Sequence, residues 1–250
     1  MQSDPSPVEV SVVVPVRNEA GNVAPLVAEI EAALAGRLAF EVVYVDDGST
    51  DGTAAELGRL AAEKPFLRSM HHDVSCGQSC AVRTGARAAR GTIIVTMDGD
   101  GQNNPVYIPA LVEALTRGGP GTGLVAGQRL GRKDTGFKRW QSRTANAVRS
   151  RVLRDGTRDT GCGLKAIRRE VYLALPYFDA LHRFMPALVK REGFAIAYVD
   201  VVDRPRLTGT SNYGFFDRLW VGIMDLAGVW WLIRRRRRVP VVREIGGHAG

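Results

Sequence analysis

Two aspartates separated by one glycine, Asp98 and Asp100, follow the apolar run TIIVTM at residues 92–97. At a strand end the two-residue pleat aims such side chains to one side if the extension continues, so the pair can share a cation. Hard carboxylate oxygens suit Mg²⁺ or Mn²⁺, and a magnesium ion usually takes one or two protein carboxylates and fills its shell with water and substrate phosphates. Gly99 and Gly101 remove side chains where a bulky ligand must approach the backbone, and Gln102 offers a neutral oxygen. The pattern outlines a nucleoside-diphosphate site; a capped turn is the plainer alternative.

Positioning those groups requires strands that end together. Val10–Val16 and residues 40–45 (FEVVYV) are β-branched runs like 92–97, too short for ordinary helices. Helical stretches over residues 22–34, 51–63 and 78–89 alternate with them, the second opening on the cap cluster Ser49-Thr50-Asp51. Such alternation implies an α/β fold, a mainly parallel sheet with helices on both faces, whose ligands bind beyond the carboxyl ends of the strands. The first strand runs into Pro15-Val16-Arg17-Asn18-Glu19 and the second into Asp46-Asp47-Gly48-Ser49. One polar cluster is ordinary turn chemistry; three at successive strand ends point to a ligand site. No GxGxxG or GxxxxGK[ST] occurs at the first strand-to-helix turn, which removes the main signal for a dinucleotide or P-loop site.

The 250 residues suit one large domain or two small ones, and 45% hydrophobic with 24% charged residues argues against wholesale disorder or a multi-span membrane protein. Cys76, Cys80 and Cys162 are too few for a disulfide framework, and no Cys/His cluster is read as having zinc-ligand spacing. The opening MQSDPSPVEV shows no secretory signal, which places the chain in the cytoplasm. Charge is divided: residues 1–128 carry −6 and residues 129–250 carry +14. A basic half seeks nucleic acid, a lipid headgroup surface or a phosphorylated substrate. Residues 219–233 (LWVGIMDLAGVWWLI), interrupted by Asp225 and followed by five arginines, are too short for a full span. An amphipathic helix in the interface fits better, with Trp220, Trp230 and Trp231 at headgroup level; a helix packed on the protein is the competing reading.

The segments SVVVPVRNEAGNV, VVYVDDGSTDGT, VTMDGDGQNNP, AGQR, SRTANAVR, DTGCGLKAIRREV and RPRLTGTSNYG, in that order over residues 10–214, resemble family-2 glycosyltransferases. Within them the likeness is to the dolichyl-phosphate mannose synthase-like, polyprenyl-phosphate glycosyltransferase group. The resemblance implies a GT-A type nucleotide-sugar fold, inverting transfer and a metal-bound nucleoside diphosphate. By position it sets Pro15, Arg17 and Glu19 beside the nucleoside, with Asp46 and Asp47 at the base or ribose. It makes Asp98, Asp100 and Gln102 the metal and diphosphate site and Arg206 the cation that closes over donor phosphates. Asp159 would bind donor hydroxyls. Arg129, Lys138, Arg139, Ser142 and Arg143 would take the acceptor phosphate, and His182 and Arg183 match a position near the acceptor.

The expectation is a catalytic domain over 1–214 and an interfacial helix with basic tail over 215–250. The enzyme would move a sugar from a nucleotide-sugar to dolichyl or undecaprenyl phosphate, peripherally on the cytoplasmic face of an anionic membrane and without nucleic acid. An acceptor phosphate is already anionic and needs no strong base, whereas a saccharide or other hydroxyl acceptor, the alternative, needs one. A non-enzymatic basic nucleic-acid or membrane module is the third reading, and it leaves the acidic strand ends without a purpose.

Overall fold

A computed structural model describes residues 7–130, 149, 151–153, 156–157, 159, 161–204 and 215–235, the stretch 215–221 by its backbone. Seven strands form one sheet in the order β3-β2-β1-β4-β6-β5-β7. They are β1 (Val10–Val16), β2 (Phe40–Asp46), β3 (Leu67–His71), β4 (Ile93–Thr96), β5 (Thr122–Arg129), β6 (Lys165–Arg168) and β7 (Ala195–Val201). All neighbours run parallel except β6, which is antiparallel to both β4 and β5.

Every residue of β1 is buried. The pleat sends Val10, Val12, Val14 and Val16 into one apolar layer and Val13 into the other. The first layer is closed by α1 (Ala20–Leu34), α2 (Thr53–Glu63) and α4 (Ile108–Arg117), through residues such as Ile30, Leu57 and Leu111. The second is closed by α3 (Gln78–Ala88), α5 (Arg169–Ala174), α6 (Leu181–Arg191) and α7 (Phe215–Arg234), through Ala81, Val171, Leu188 and Val229. Helices thus cover both faces, as the alternation requires.

Two local expectations change. The run LKAIRREV, read as one strand-like stretch, splits into β6 and the first turns of α5 at Arg169. Strand β4 stops at Thr96, and the aspartate pair lies in a turn in which Gly101 takes a φ of +74°. The extended pleat therefore does not continue through Asp100. The Ser49-Thr50-Asp51 cluster joins two strand ends: Asn18 Oδ1 accepts from Thr50 N–H at 2.8 Å, Asn18 N–H donates to Ser49 Oγ at 2.8 Å, and Asp51 Oδ2 accepts from Ala20 N–H at 3.3 Å.

At the opposite edge, where the strands begin, Glu41 is buried and fully engaged. Its carboxylate accepts from Ser11 Oγ at 2.7 Å, Arg90 N–H at 2.6 Å and Arg68 Nη1 at 2.8 Å. Burial alone raises this carboxyl, and the donors outweigh it and hold the group below its ordinary range. Gly91 completes the junction, since a Cβ there would stand 2.8 Å from Glu9 O and Ser11 N. Glu41→Ala leaves the Ser11 hydroxyl and the Arg90 amide without this acceptor and the Arg68 guanidinium with the Ala88 carbonyl alone. It should lower unfolding free energy by about 3–5 kcal/mol, as removal of one partner of a buried pair does, with the urea midpoint as the measurement.

Candidate active site

The carboxyl ends of β1, β4 and β5 meet the start of β6 because the reversed strand brings residues 161–164 to that edge. Register pairs Thr96 with Lys165, and Thr96 Oγ1 donates to Gly163 O at 2.8 Å. Asp98 is thereby pressed against Gly163, where a Cβ would fall 2.3 Å from Asp98 Oδ2 and 2.7 Å from Asn103 Oδ1. Asp98 Oδ1 accepts from Gln78 Nε2 at 2.8 Å, and its backbone N–H donates to Asn103 Oδ1 at 3.0 Å. Asp100 is buried, and its Oδ1 accepts the Gln102 N–H at 3.0 Å. Burial, and then the charge of Asp100, push the Asp98 carboxyl up to about 6. Two carboxylates confined this closely, beside a glycine whose side chain would block the approach, make an oxygen donor set that fits a hard divalent cation.

Two adjoining cavities share Pro15, Gln78, Asp98 and Gly161. The outer, of about 290 Å³, is lined among others by Arg17, Glu19, Asp100, Gln102, Arg129 and Asp203. The inner, of about 200 Å³, runs past Val82, Gly163, Lys165, His182 and Arg183. Asp98 stands at their junction, and together they are large enough for a small organic ligand.

Arg129, at the end of β5, grips Asp159 with both arms, Nε to Oδ2 at 2.6 Å and Nη2 to Oδ1 at 2.8 Å, while Nη1 reaches Asp203 Oδ2 at 3.4 Å. The structure thus makes partners of two residues assigned separately in sequence, with Asp159 behind the guanidinium. Burial would raise the Asp159 carboxyl, and Arg129 overcomes it and holds the group low. Asp203, half-buried, is raised by burial and accepts from Asn103 Nδ2 at 3.3 Å. Lys165 is buried with its ammonium on Cys162 O, and burial lowers its pKa against the pull of the neighbouring carboxylate of Asp98. His182 Nδ1 lies 2.9 Å from Ser79 Oγ, and burial with two nearby cations drops the imidazole to about 3. Cys162 is buried and its thiol is pushed up to about 11 by burial, which makes it a poor nucleophile.

Asp46 and Asp47 end β2 outside the linings of these two cavities and are occupied by the protein itself. Asp47 Oδ1 accepts from His72 Nδ1 and Cys76 N–H, and Oδ2 from Ser75 Oγ and Gly77 N–H, all at 2.8 Å. Burial works to raise this carboxyl, and the four donors hold it low. Asp46 accepts from Ser49 N–H at 3.1 Å and faces His71 Nδ1 at 2.9 Å. Glu19 caps α1 in sequence position and takes Asn22 Nδ2 at 2.5 Å.

Lys138, Arg139, Ser142, Arg143 and Arg206 lie outside the described residues. Gln78, Asn103, Lys165 and Asp203 join the site without having been singled out in sequence. The glutamine, at the start of a helix following a glycine, and Asn103, five residues past Asp98 in the same turn, carried local signals; Lys165 and Asp203 are brought in by long-range register.

Comparison with known proteins places the geometry in context. The model for "Glycosyl transferase family 2" matches residues 11–175. Dodecaprenyl-phosphate galacturonate synthase of Rhizobium johnstonii is 35% identical over 92% of this chain and 69% of its own length. Undecaprenyl-phosphate 4-deoxy-4-formamido-L-arabinose transferase of Pseudomonas paraeruginosa is 37% identical over 84% of this chain, which spans 62% of that relative. Among solved structures, the mannosyltransferase PcManGT of Pyrobaculum calidifontis, in complex with GDP-Man and Mn²⁺, superposes with a TM-score of 0.67 at 23% identity, over 95% of this chain and 67% of that one. Glucosyl-3-phosphoglycerate synthase of Mycobacterium tuberculosis, solved with Mn²⁺, UDP-glucose and glycerol 3-phosphate, gives 0.65 at 23% over 92% and 80%. At such identity these structures establish the GT-A fold. A sheet with acidic carboxyl ends, a glycine-walled aspartate pair and the match over most of the chain meet in one conclusion: the protein is a glycosyltransferase and belongs to glycosyl transferase family 2.

Proposed function

We propose that the chain transfers a sugar, with inversion, from a nucleotide-sugar to a polyprenyl phosphate at the cytoplasmic face of a membrane. Two relatives that match most of the chain, the galacturonate synthase and the arabinose transferase, are named for polyprenyl-phosphate acceptors, which supports the acceptor class. The observation that carries the reading is the chemistry around the joined cavities. Arg129 offers a guanidinium held in place by two carboxylates, and Asp159 and His182 are kept poorly basic. The two cavity carboxyls that burial raises are engaged, Asp98 by Gln78 at the cation turn and Asp203 by Arg129 and Asn103. An anionic phosphate needs a cation to seat it and no base to deprotonate it, whereas a hydroxyl acceptor needs the base.

Asp98, Asp100 and Gln102 would hold Mg²⁺ or Mn²⁺, which when bound offsets the charge of the departing diphosphate. Gln78 and Asn103 orient the Asp98 turn for that task, and Asp159 and Asp203 aim Arg129. Pro15, Arg17 and Glu19 border the outer cavity, where the nucleoside would lie. Asp46 and Asp47 would act at the base through the loop they organise, and Lys138, Arg139, Ser142, Arg143 and Arg206 would complete the phosphate contacts. The catalytic part is assigned to 1–214.

The segment 215–250 is assigned to the membrane interface. Helix α7 turns Leu226, Val229 and Ile233 onto the protein and leaves Ile223, Met224, Trp230 and Trp231 exposed. Arg234 lies over the Trp230 ring at 4.0 Å and Arg235 over Trp231 at 5.5 Å. The helix packs on the protein along one side and presents an aromatic, cationic stripe on the other, which supports the interfacial reading. No helix among the described residues is long and apolar enough to cross a membrane. Interfacial tryptophans and arginines suit the headgroup level of an anionic bilayer.

Ionised Asp98 is the form that takes a cation, so Mn²⁺ affinity should fall by about tenfold per pH unit below 6. Asp98→Asn should abolish both Mn²⁺ binding and transfer. In the metal-free parent the folded state keeps a proton that the unfolded chain releases, so this carboxyl costs stability as pH rises from the ordinary carboxylate range to about 6. The Asn variant should lack that slope in urea titrations across the window. Arg129→Lys keeps the charge and loses the two-armed grip. It should raise acceptor KM about tenfold or more with donor affinity nearly unchanged; collapse of donor affinity with acceptor dependence intact assigns Arg129 to the other substrate. Trp230→Ser combined with Trp231→Ser should reduce co-sedimentation with anionic vesicles several-fold while nucleotide-sugar binding persists. Equal sedimentation of parent and variant rules out the stripe as the anchor.

A further inference from the structure

His72, Cys76 and Cys80 recur at intervals of four residues, a spacing read in sequence as no zinc pattern. The fold brings the three side chains together all the same. After β3 the chain loops past the end of β2 and enters α3 at Gln78, which gathers a ring nitrogen of His72 and the sulfurs of both cysteines within 4.8 Å of one another. We infer that this trio binds a soft divalent cation, Zn²⁺ foremost, at a site separate from the oxygen site of Asp98.

Thiolate sulfur with imidazole nitrogen selects zinc over magnesium or manganese, the reverse of the carboxylate pair. The imidazole is oriented by bonds at both ring nitrogens, one of which a cation would displace. Nδ1 lies 2.8 Å from Asp47 Oδ1, the arrangement in which a carboxylate orients a metal-bound histidine. Nε2 lies 3.0 Å from Thr84 Oγ1, so the lone pair that accepts this hydroxyl proton is the one a cation would take. Thr84 follows Cys80 by one helical turn, and both therefore stand on the same face of α3. Zinc bonds of about 2.0 Å to nitrogen and 2.3 Å to sulfur place tetrahedral ligand atoms about 3.3–3.8 Å apart. A contraction of about 1 Å closes the site, and exposed Cys76 can supply it by rotation. Each thiol releases its proton to solvent on binding and nothing is oxidised. Three protein ligands leave a fourth position for water. Because the Cys76 and Gly77 amides both hold Asp47, an ion here would tie the loop carrying them to α3.

The test uses the full chain under reducing conditions with Co²⁺ as spectroscopic probe, in an Asp98→Asn background that silences the oxygen site. Expected are one equivalent of bound cobalt, a thiolate-to-cobalt charge-transfer band with tetrahedral visible bands, and displacement by Zn²⁺. Cys76→Ser and Cys80→Ser, made in the parent, should each lose the band, and their Mn²⁺ binding should match that of the parent. Thr84→Val should retain the band, because it removes only the competing hydroxyl. No charge-transfer band in the reduced protein, or a band that survives either serine variant, overturns the assignment. So does a Cys76–Cys80 disulfide that forms in the reduced buffer and leaves one titratable thiol.

Discussion

Strand β6 runs against both neighbours, and that reversal determines which chain segments share the catalytic edge. A parallel strand in its place would bring a carboxyl end to the edge, with the preceding loop at the far side of the sheet. Reversed, it delivers residues 161–164 and the ammonium of Lys165 to the ends of β4 and β5. The same register sets Gly163 against Asp98 and leaves room for backbone alone. The turn after β4 is held from three directions, by Gln78 from α3, by Asn103 from its own return and by the wall of Gly163. Pre-organisation of this kind matters because a cation site tolerates little displacement of its ligands.

Beyond that edge the site is a chain of alternating charge. Asp159, Arg129 and Asp203 alternate in sign, and Asn103 links Asp203 back to the Asp98 turn. Arg204 then fastens the exit of β7: its N–H donates to Gln102 O at 2.9 Å and its guanidinium grips Glu29 at 2.6 and 2.8 Å. A half-buried guanidinium with two carboxylates is costly to move, so Arg129 is held as a fixed donor at the rim of the outer cavity.

The sheet was legible in the sequence because fully buried parallel strands read as unbroken β-branched runs, and the three polar clusters marked its carboxyl edge. What sequence did not carry is pairing across distance. Arg129 and Asp159 lie 30 residues apart in the chain and were assigned to different substrates, because nothing local tells an arginine which carboxylate will hold it. Lys165 sits in LKAIRREV, whose alternation looks like an ordinary half-exposed strand; only the sheet order shows that its ammonium is buried. The spacing of His72, Cys76 and Cys80 crosses from a loop into a helix, so neither period applied to it. The aspartate pair was found by its residues, yet its geometry was misjudged, since Gly101 turns the chain where a pleat was assumed.

The wall at Gly163 has a consequence for how such a catalyst can diversify. Where a pocket is bounded by main chain, its carbonyl and amide groups do not depend on the side chains nearby, and a carbon added at Gly163 would stand 2.3 Å from Asp98 Oδ2 and force that carboxylate to move. The inner cavity, by contrast, is bounded in part by side chains, the buried Val82, His182 and the exposed Arg183 among them. The molecule therefore sets a wall of main chain on one side of Asp98 and a lining of side chains on the other. Under the proposed function, a change of sugar would fall on that lining and leave the aspartate turn as it is.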